Sequence, residues 1–206
     1  MKSKLLSISF LLLLVIATSC GSKEEKKELK DDKLSGFMVG GIYFVHGYGG
    51  QSEVNSMLVD YKTDEELISA YKELFEFPFD DSQKSGTKRM LKSMWDISDK
   101  ASLLKSIEDL QTKTYEYKAW DYARVVNNAC MGYAAGYLSK DEVVAINSKT
   151  LALAKENYTD WEKYYTDFDL GRNDWDSEDS ESEAFEKLSK NITKGEKSIY
   201  LVLPLN

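Results

Sequence analysis

Residues 119–138 read AWDYARVVNNACMGYAAGYL, and how this stretch is taken decides the fold. Charged residues make up 30% of the chain, yet none lies between Arg124 and Leu138. Apolar and small side chains occupy every turn instead of one stripe, and a helix of that kind is buried on most sides. Asp121 and Arg124 are three residues apart, share one helical face and can pair there. The stretch predicts a central helix with an ion pair at its entrance.

Amphipathic segments flank it on both sides. Thr63 with Glu66 forms a capping box ahead of Leu67, Ile68, Tyr71, Leu74 and Phe75, and Pro78 follows that face. Met90, Leu91, Met94 and Trp95 recur at helical spacing. Ser98 is expected to cap a helix carrying Leu103, Leu104, Ile107 and Leu110. Ser139 with Glu142 opens another through Val143, Ile146 and Leu151. Thr159 is expected to cap a further helix with Trp161, Tyr164, Tyr165 and Phe168 inward, ended by Gly171. Residues 34–50, LSGFMVGGIYFVHGYGG, predict a tightly packed helix despite Gly40 and Gly41. A short helix is expected around Phe185 and Leu188, and Ile199 to Leu203 as a lone strand or an extended strap. The fold class is mainly α, a single helical domain with a short C-terminal strand or strap.

The first residues carry a different message. Lys2 and Lys4 precede an apolar run from Leu5 to Ile16, too short to span a bilayer comfortably. Ala17-Thr18-Ser19 then leads into Cys20, and small residues before a cysteine at this place resemble the lipobox of bacterial lipoproteins. That resemblance implies cleavage before Cys20 and acylation of it. Residues 1–19 are therefore expected to be a lipoprotein signal peptide and 20–35 a flexible charged tether. Residues 36–206 form the helical domain. Lipid on Cys20 would hold the chain to a membrane of the bacterial cell envelope, the outer membrane being expected, on its periplasmic or exposed side. Lys23-Glu24-Glu25 resembles a short signal for display at the cell surface. With Cys20 lipidated, Cys130 is left without a disulfide partner and is expected to be a buried inert thiol.

Net charge is −8, and more negative once Lys2 and Lys4 leave with the signal. That balance argues against nucleic acid, whose binding depends on neutralising phosphates. It suits a basic protein partner or a cation, and it serves solubility equally.

Catalytic and metal patterns are sparse. Residues 43–50, YFVHGYGG, resemble the oxyanion-hole turn of α/β-hydrolases, but no G-x-S-x-G elbow occurs and His46 is the sole histidine. Zinc ligation of the usual N/S type lacks ligands. An EF-hand starting at Asp174 fails at its sixth and twelfth positions, Asp179 and Phe185. No catalytic residue, metal ligand or cofactor site is assigned. The one polar constellation is Asp96, Asp121, Arg124 and Arg172, since Trp95-Asp96 and Trp120-Asp121 repeat an aromatic–acid pairing and Arg172 follows Gly171. Charges lodged among tryptophans must be paired. Such a cluster serves either as a buried network fixing helix register or as a ligand-binding site.

Four blocks in order carry a wider resemblance: WDI at 95–97, AWDYAR at 119–124, GYAAGYLS at 132–139, and the segment from Trp161 to GRNDW at 171–175. Together they are similar to the bacterial domain-of-unknown-function family 1266 over roughly residues 36–185. The resemblance implies a mainly helical fold and brings no established activity. The functional expectation is an envelope lipoprotein acting as a non-catalytic protein-interaction module of inhibitor or immunity type. A small-ligand or glycan-binding lipoprotein is the alternative, and an enzyme using Asp96 or Asp121 as acid or base ranks third.

Overall fold

The uncharged stretch forms the hub of the protein, a helix from Lys118–Ala134 in which twelve of 17 residues are buried. The computed structural model describes residues 29–113, 116–175 and 181–206. In chain order the helices are α1 (Asp32–Met38), α2 (Gly41–Gly47), α3 (Gln51–Met57), α4 (Asp64–Phe75), α5 (Lys84–Trp95), α6 (Lys100–Thr112) and the hub α7 (Lys118–Ala134). Then come α8 (Lys140–Asn157), α9 (Trp161–Trp175), α10 (Ser182–Asn191) and α11 (Ile199–Val202). No strand occurs among the described residues, so the fold is all α.

Helices α2, α5, α6, α8 and α9 all pack on α7. Its Ala119, Ala123, Ala129, Gly132 and Ala134 carry little or no side chain, which lets five neighbours approach one axis. Gly136, at φ 79, ends the helix: its N–H reaches the Tyr133 carbonyl and the Tyr137 N–H reaches that of Gly132, both at 2.8 Å. On the outer layer α1 lies on α8 and α4, α10 on α9 and α2, and α11 on α4.

The segment 34–50 is two helices broken at Val39-Gly40 in place of one, and the break has a structural use. Leaving a helix strands carbonyls in the core, where they must find donors. Tyr164 Oη donates to the Val39 carbonyl at 2.9 Å, and Tyr165 Oη and Tyr200 Oη lie 2.9 and 3.0 Å from that of Met38. The Tyr165 and Tyr200 hydroxyls are 2.8 Å apart, and all three rings are buried. Their buried hydroxyls thus tie α9 and α11 to the α1–α2 junction.

Local signals fared unevenly. The capping boxes at Thr63 and Ser139 form as expected. Asp99, not Ser98, caps α6, its carboxylate accepting from the Ser102 N–H at 2.8 Å. Asp160, not Thr159, accepts from the Lys163 N–H at 2.9 Å at the start of α9. In both places two cap formers are adjacent, and the later one meets the helix. The expected strand or strap is corrected: Ile199–Val202 is a helical turn, which brings Ile199 and Tyr200 inward together. The helical domain also begins before residue 36. Helix α1 starts at Asp32 inside the expected tether, and its Leu34 and Ser35 are buried. Cys130 is buried as expected, and burial raises its thiol well above the ordinary range.

Two caps carry a pH signature. Backbone N–H groups of Ser102, and of Lys62 and Thr63, hold the Asp99 and Glu66 carboxyls below their ordinary 3.8 and 4.5. A lowered folded-state pKa contributes stability that is present above the ordinary value and lost as pH falls through the folded one. Carboxyl ¹³C shifts followed by NMR should therefore place both midpoints below those ordinary values. Midpoints at or above them would show that the caps do not form.

Candidate functional site

The first turn of α7 has no cap from its own N-cap residue, Tyr117. The acceptor comes from α9 instead: Asp167 Oδ2 takes the Ala119 N–H at 2.9 Å and the Tyr158 hydroxyl at 2.5 Å. This fixes the angle at which α7 enters the core. Asp167→Ala should cost about 1–2 kcal/mol, the upper part of the range for losing an N-terminal cap. Urea unfolding measures it, and a change within error would assign the cap no energetic role.

Asp121 lies in that first turn and is buried. Its Oδ1 accepts from Arg124 Nη2, and its Oδ2 from Lys118 Nζ at 3.3 Å. Lys118 Nζ also donates to the Leu110 and Lys113 carbonyls at 3.0 and 2.8 Å, so one ammonium closes α6 and pairs α7. Burial pushes the Asp121 carboxyl above its ordinary 3.8, while Arg124 and then Lys118 oppose that rise.

Arg124 is itself clamped by aromatic rings. Its guanidinium carbon lies 3.5 Å from the Trp120 ring centroid and 5.4 Å from that of Trp95, and Nε approaches the Trp120 carbonyl at 3.4 Å. Cation–π contacts of this kind contribute about 0.5–2 kcal/mol each. From the end of α9, Trp175 meets Trp120 at 5.8 Å between centroids. The approach depends on Gly171, where a Cβ would fall 2.6 Å from Tyr117 Cβ and 3.0 Å from Trp120 Cβ. Gly171 was expected to stop α9. The helix runs on to Trp175, because this glycine serves close packing and no left-handed turn.

Between these parts a groove of about 870 Å³ opens. The end of α5 contributes Trp95 and Asp96, α6 the face from Ser102 to Asp109, and the start of α7 Tyr117, Trp120, Asp121 and Arg124. Gly171, Asp174 and Trp175 of α9 close it. Trp175 is 65% exposed, so its indole is available at the mouth.

The expected constellation thus divides. Asp121 and Arg124 form the core of the site. Asp96 is only on the rim, with its side chain 88% exposed and paired to Lys92, whose hydrogen bond holds the carboxyl below its ordinary 3.8. The cause is its left-handed backbone (φ 53), which ends α5 and lets the Ile97 N–H reach the Leu91 carbonyl at 3.1 Å. Ile97 turns in and Asp96 turns out. Arg172 is buried, as expected, but stacks 4.2 Å over Phe185 between α9 and α10. One residue along a helix is a rotation of about 100°, so Gly171 facing α7 sends Arg172 to another neighbour. His46 closes α2 and stacks on Phe185 at 4.5 Å.

Sequence reasoning missed Lys118, Asp167, Tyr117 and Trp175 as site residues. Lys118 was within reach, three residues before Asp121. Asp167 was not, because its partner is 48 residues away. Cys20 lies outside the described residues. No group of three or more potential metal ligands occurs among those described, and no described helix is long and apolar enough to cross a membrane.

Residues 111–205 match the family described as "Protein of unknown function (DUF1266)". The match starts later than the resemblance over 36–185 and runs further. It takes in α7 to α11 and leaves the Trp95 side of the groove outside. A 60-residue stretch is 35% identical to the uncharacterized protein YbeR of Escherichia coli (strain K12), covering 29% of this chain and 26% of that one. The chain therefore aligns with about a quarter of that relative's length. No solved structure matches.

Proposed function

We propose that this chain is a non-catalytic binding protein, held to the bacterial cell envelope through lipid on Cys20, that takes a small ligand in the groove beside Arg124. The observation that carries the reading is the groove itself: about 870 Å³, with three tryptophans and one of them 65% exposed. That volume lies within the roughly 300–1,000 Å³ of small-molecule sites. Indole faces offer stacking area, and the clamped Arg124 keeps Trp120 in one orientation. Acid–base work by Asp121 is disfavoured because both its oxygens are engaged by cations.

A thermal-shift screen of a metabolite library against the mature chain tests this, with Trp175→Ala as control. The exposed Trp175 can be removed at little cost in stability. Hits should raise the melting temperature of the parent and lose the effect in the variant. A screen in which no compound depends on Trp175 would overturn the reading. Anchoring rests on the basic start, the short apolar run and Cys20, and Cys20→Ala should release the chain from membrane fractions.

A protein-interaction role of inhibitor or immunity type is the second reading. The exposed Met90 and Met94 on α5 favour it, at 48% and 69%, beside a groove on an acidic chain. Flexible methionines are common on protein-binding surfaces. Pull-down from envelope fractions with Met94→Asp as control distinguishes it.

A further inference from the structure

Carboxylates and the cations that pair with them are equal in number around the groove, five of each, but the pairing is uneven, and that unevenness bears on what it holds. Five carboxylates surround it: Asp96, Asp109, Glu116, Asp121 and Asp174. Three have cations of their own. Lys92 pairs with Asp96, Lys105 and Lys113 with Asp109 at 3.4 and 2.9 Å, and Arg124 and Lys118 with Asp121. Glu116 and Asp174 form no ion pair among the described residues. Both flank Tyr117 at the Trp175 end, where the Glu116 carboxylate above all, with burial and Asp174 adding, raises the Tyr117 phenol above its ordinary 10.0.

We infer that the groove takes a small organic ammonium ion, its charge facing Glu116 and Asp174 and its alkyl groups lying on Trp175. The inference rests on the groove being a ligand site. Indole faces attract ammonium groups through the ring quadrupole, and carboxylates beside them add Coulomb attraction that neutral ligands do not feel. An anion meets, beside Tyr117, two carboxylates without ion pairs among the described residues, while Arg124 is stacked on Trp120 and bonded to Asp121, and the lining Lys105 and Lys113 are both paired with Asp109. A concave site of this volume fits a small molecule better than an extended surface.

Choline and its uncharged isostere 3,3-dimethylbutan-1-ol make the matched probes, with cellobiose, benzoate and trilysine as further arms. Each is titrated into the mature chain and followed by tryptophan fluorescence and indole N–H resonances. Choline should bind saturably and at least about tenfold more tightly than the isostere, the ratio that cation–π and charge attraction together give. The double variant Glu116→Gln/Asp174→Asn should remove that preference and leave the Trp175 contact. Equal binding of isostere or cellobiose, or tighter benzoate, overturns the cation and leaves the groove standing as a site. Trilysine binding without choline binding replaces the small molecule with a basic polypeptide. If the cation fails while library hits still depend on Trp175, this inference alone falls; if no hit depends on Trp175, the binding reading falls with it.

Discussion

Asp121→Ala is expected to lower stability by about 3–5 kcal/mol, because removing one partner of a buried pair strands the other. Here two cations lose their carboxylate: Arg124, left stacked on Trp120, and Lys118, left with the Leu110 and Lys113 carbonyls at the end of α6. Their side chains are 18% and 17% exposed, so the loss should sit at the lower end. For a domain of this size 1 kcal/mol shifts the melting temperature by about 2–4 °C, which predicts a fall of at least 6 °C. The cost comes from the stranded cations more than from the pair's net worth, since burial already raises the Asp121 carboxyl. Asp121→Asn, which keeps an acceptor for Arg124, should therefore lose distinctly less. A folded Asp121→Ala protein with an unchanged melting temperature would show that the tryptophans alone hold Arg124.

Gly41→Ala should cost about 3 kcal/mol, the upper end for overpacking a close-packed core. A Cβ there would lie 2.2 Å from Tyr200 Oη and 2.7 Å from Phe75 Cε2. Moving Tyr200 also disturbs its bonds to Tyr165 and the Met38 carbonyl. Tyr200→Phe removes the nearest atom, so the alanine should cost less in that background, though the Phe75 ring still obstructs it. Urea unfolding of the four proteins in the cycle gives the coupling, and additive losses would contradict the clash.

Much of the fold was legible because its signals are local. The capping boxes at Thr63 and Ser139 need only residues three apart, and the amphipathic faces need only a period. The uncharged turns after Arg124 predicted the buried hub, and the Asp121–Arg124 pair followed from helical spacing. Where reading failed, the deciding partner was distant. Val39-Gly40 breaks a helix because tyrosines of α9 and α11 reach the freed carbonyls. Gly171 reads as a helix end until α7 is seen against it. Asp96 and Arg172 were grouped with the site by the tryptophan and glycine beside them. A neighbour in sequence faces another way on a helix, and Asp96 also sits in a left-handed turn.

By itself, the sequence determined an acidic, mainly helical chain built around 119–138, with one buried Asp–Arg pair and a cysteine at a lipidation-like place. Periodicity, capping and charge are properties of a few adjacent residues, and so they are readable without coordinates. Tertiary structure decided that Trp95, Trp120 and Trp175, from three separate helices, border one groove. It also decided that Asp167 caps α7 and that Glu116 and Asp174 line the same groove, both acting on Tyr117. A groove is made by the angles at which helices cross. Those angles depend on contacts such as Gly171 against Tyr117, made between residues far apart in the chain.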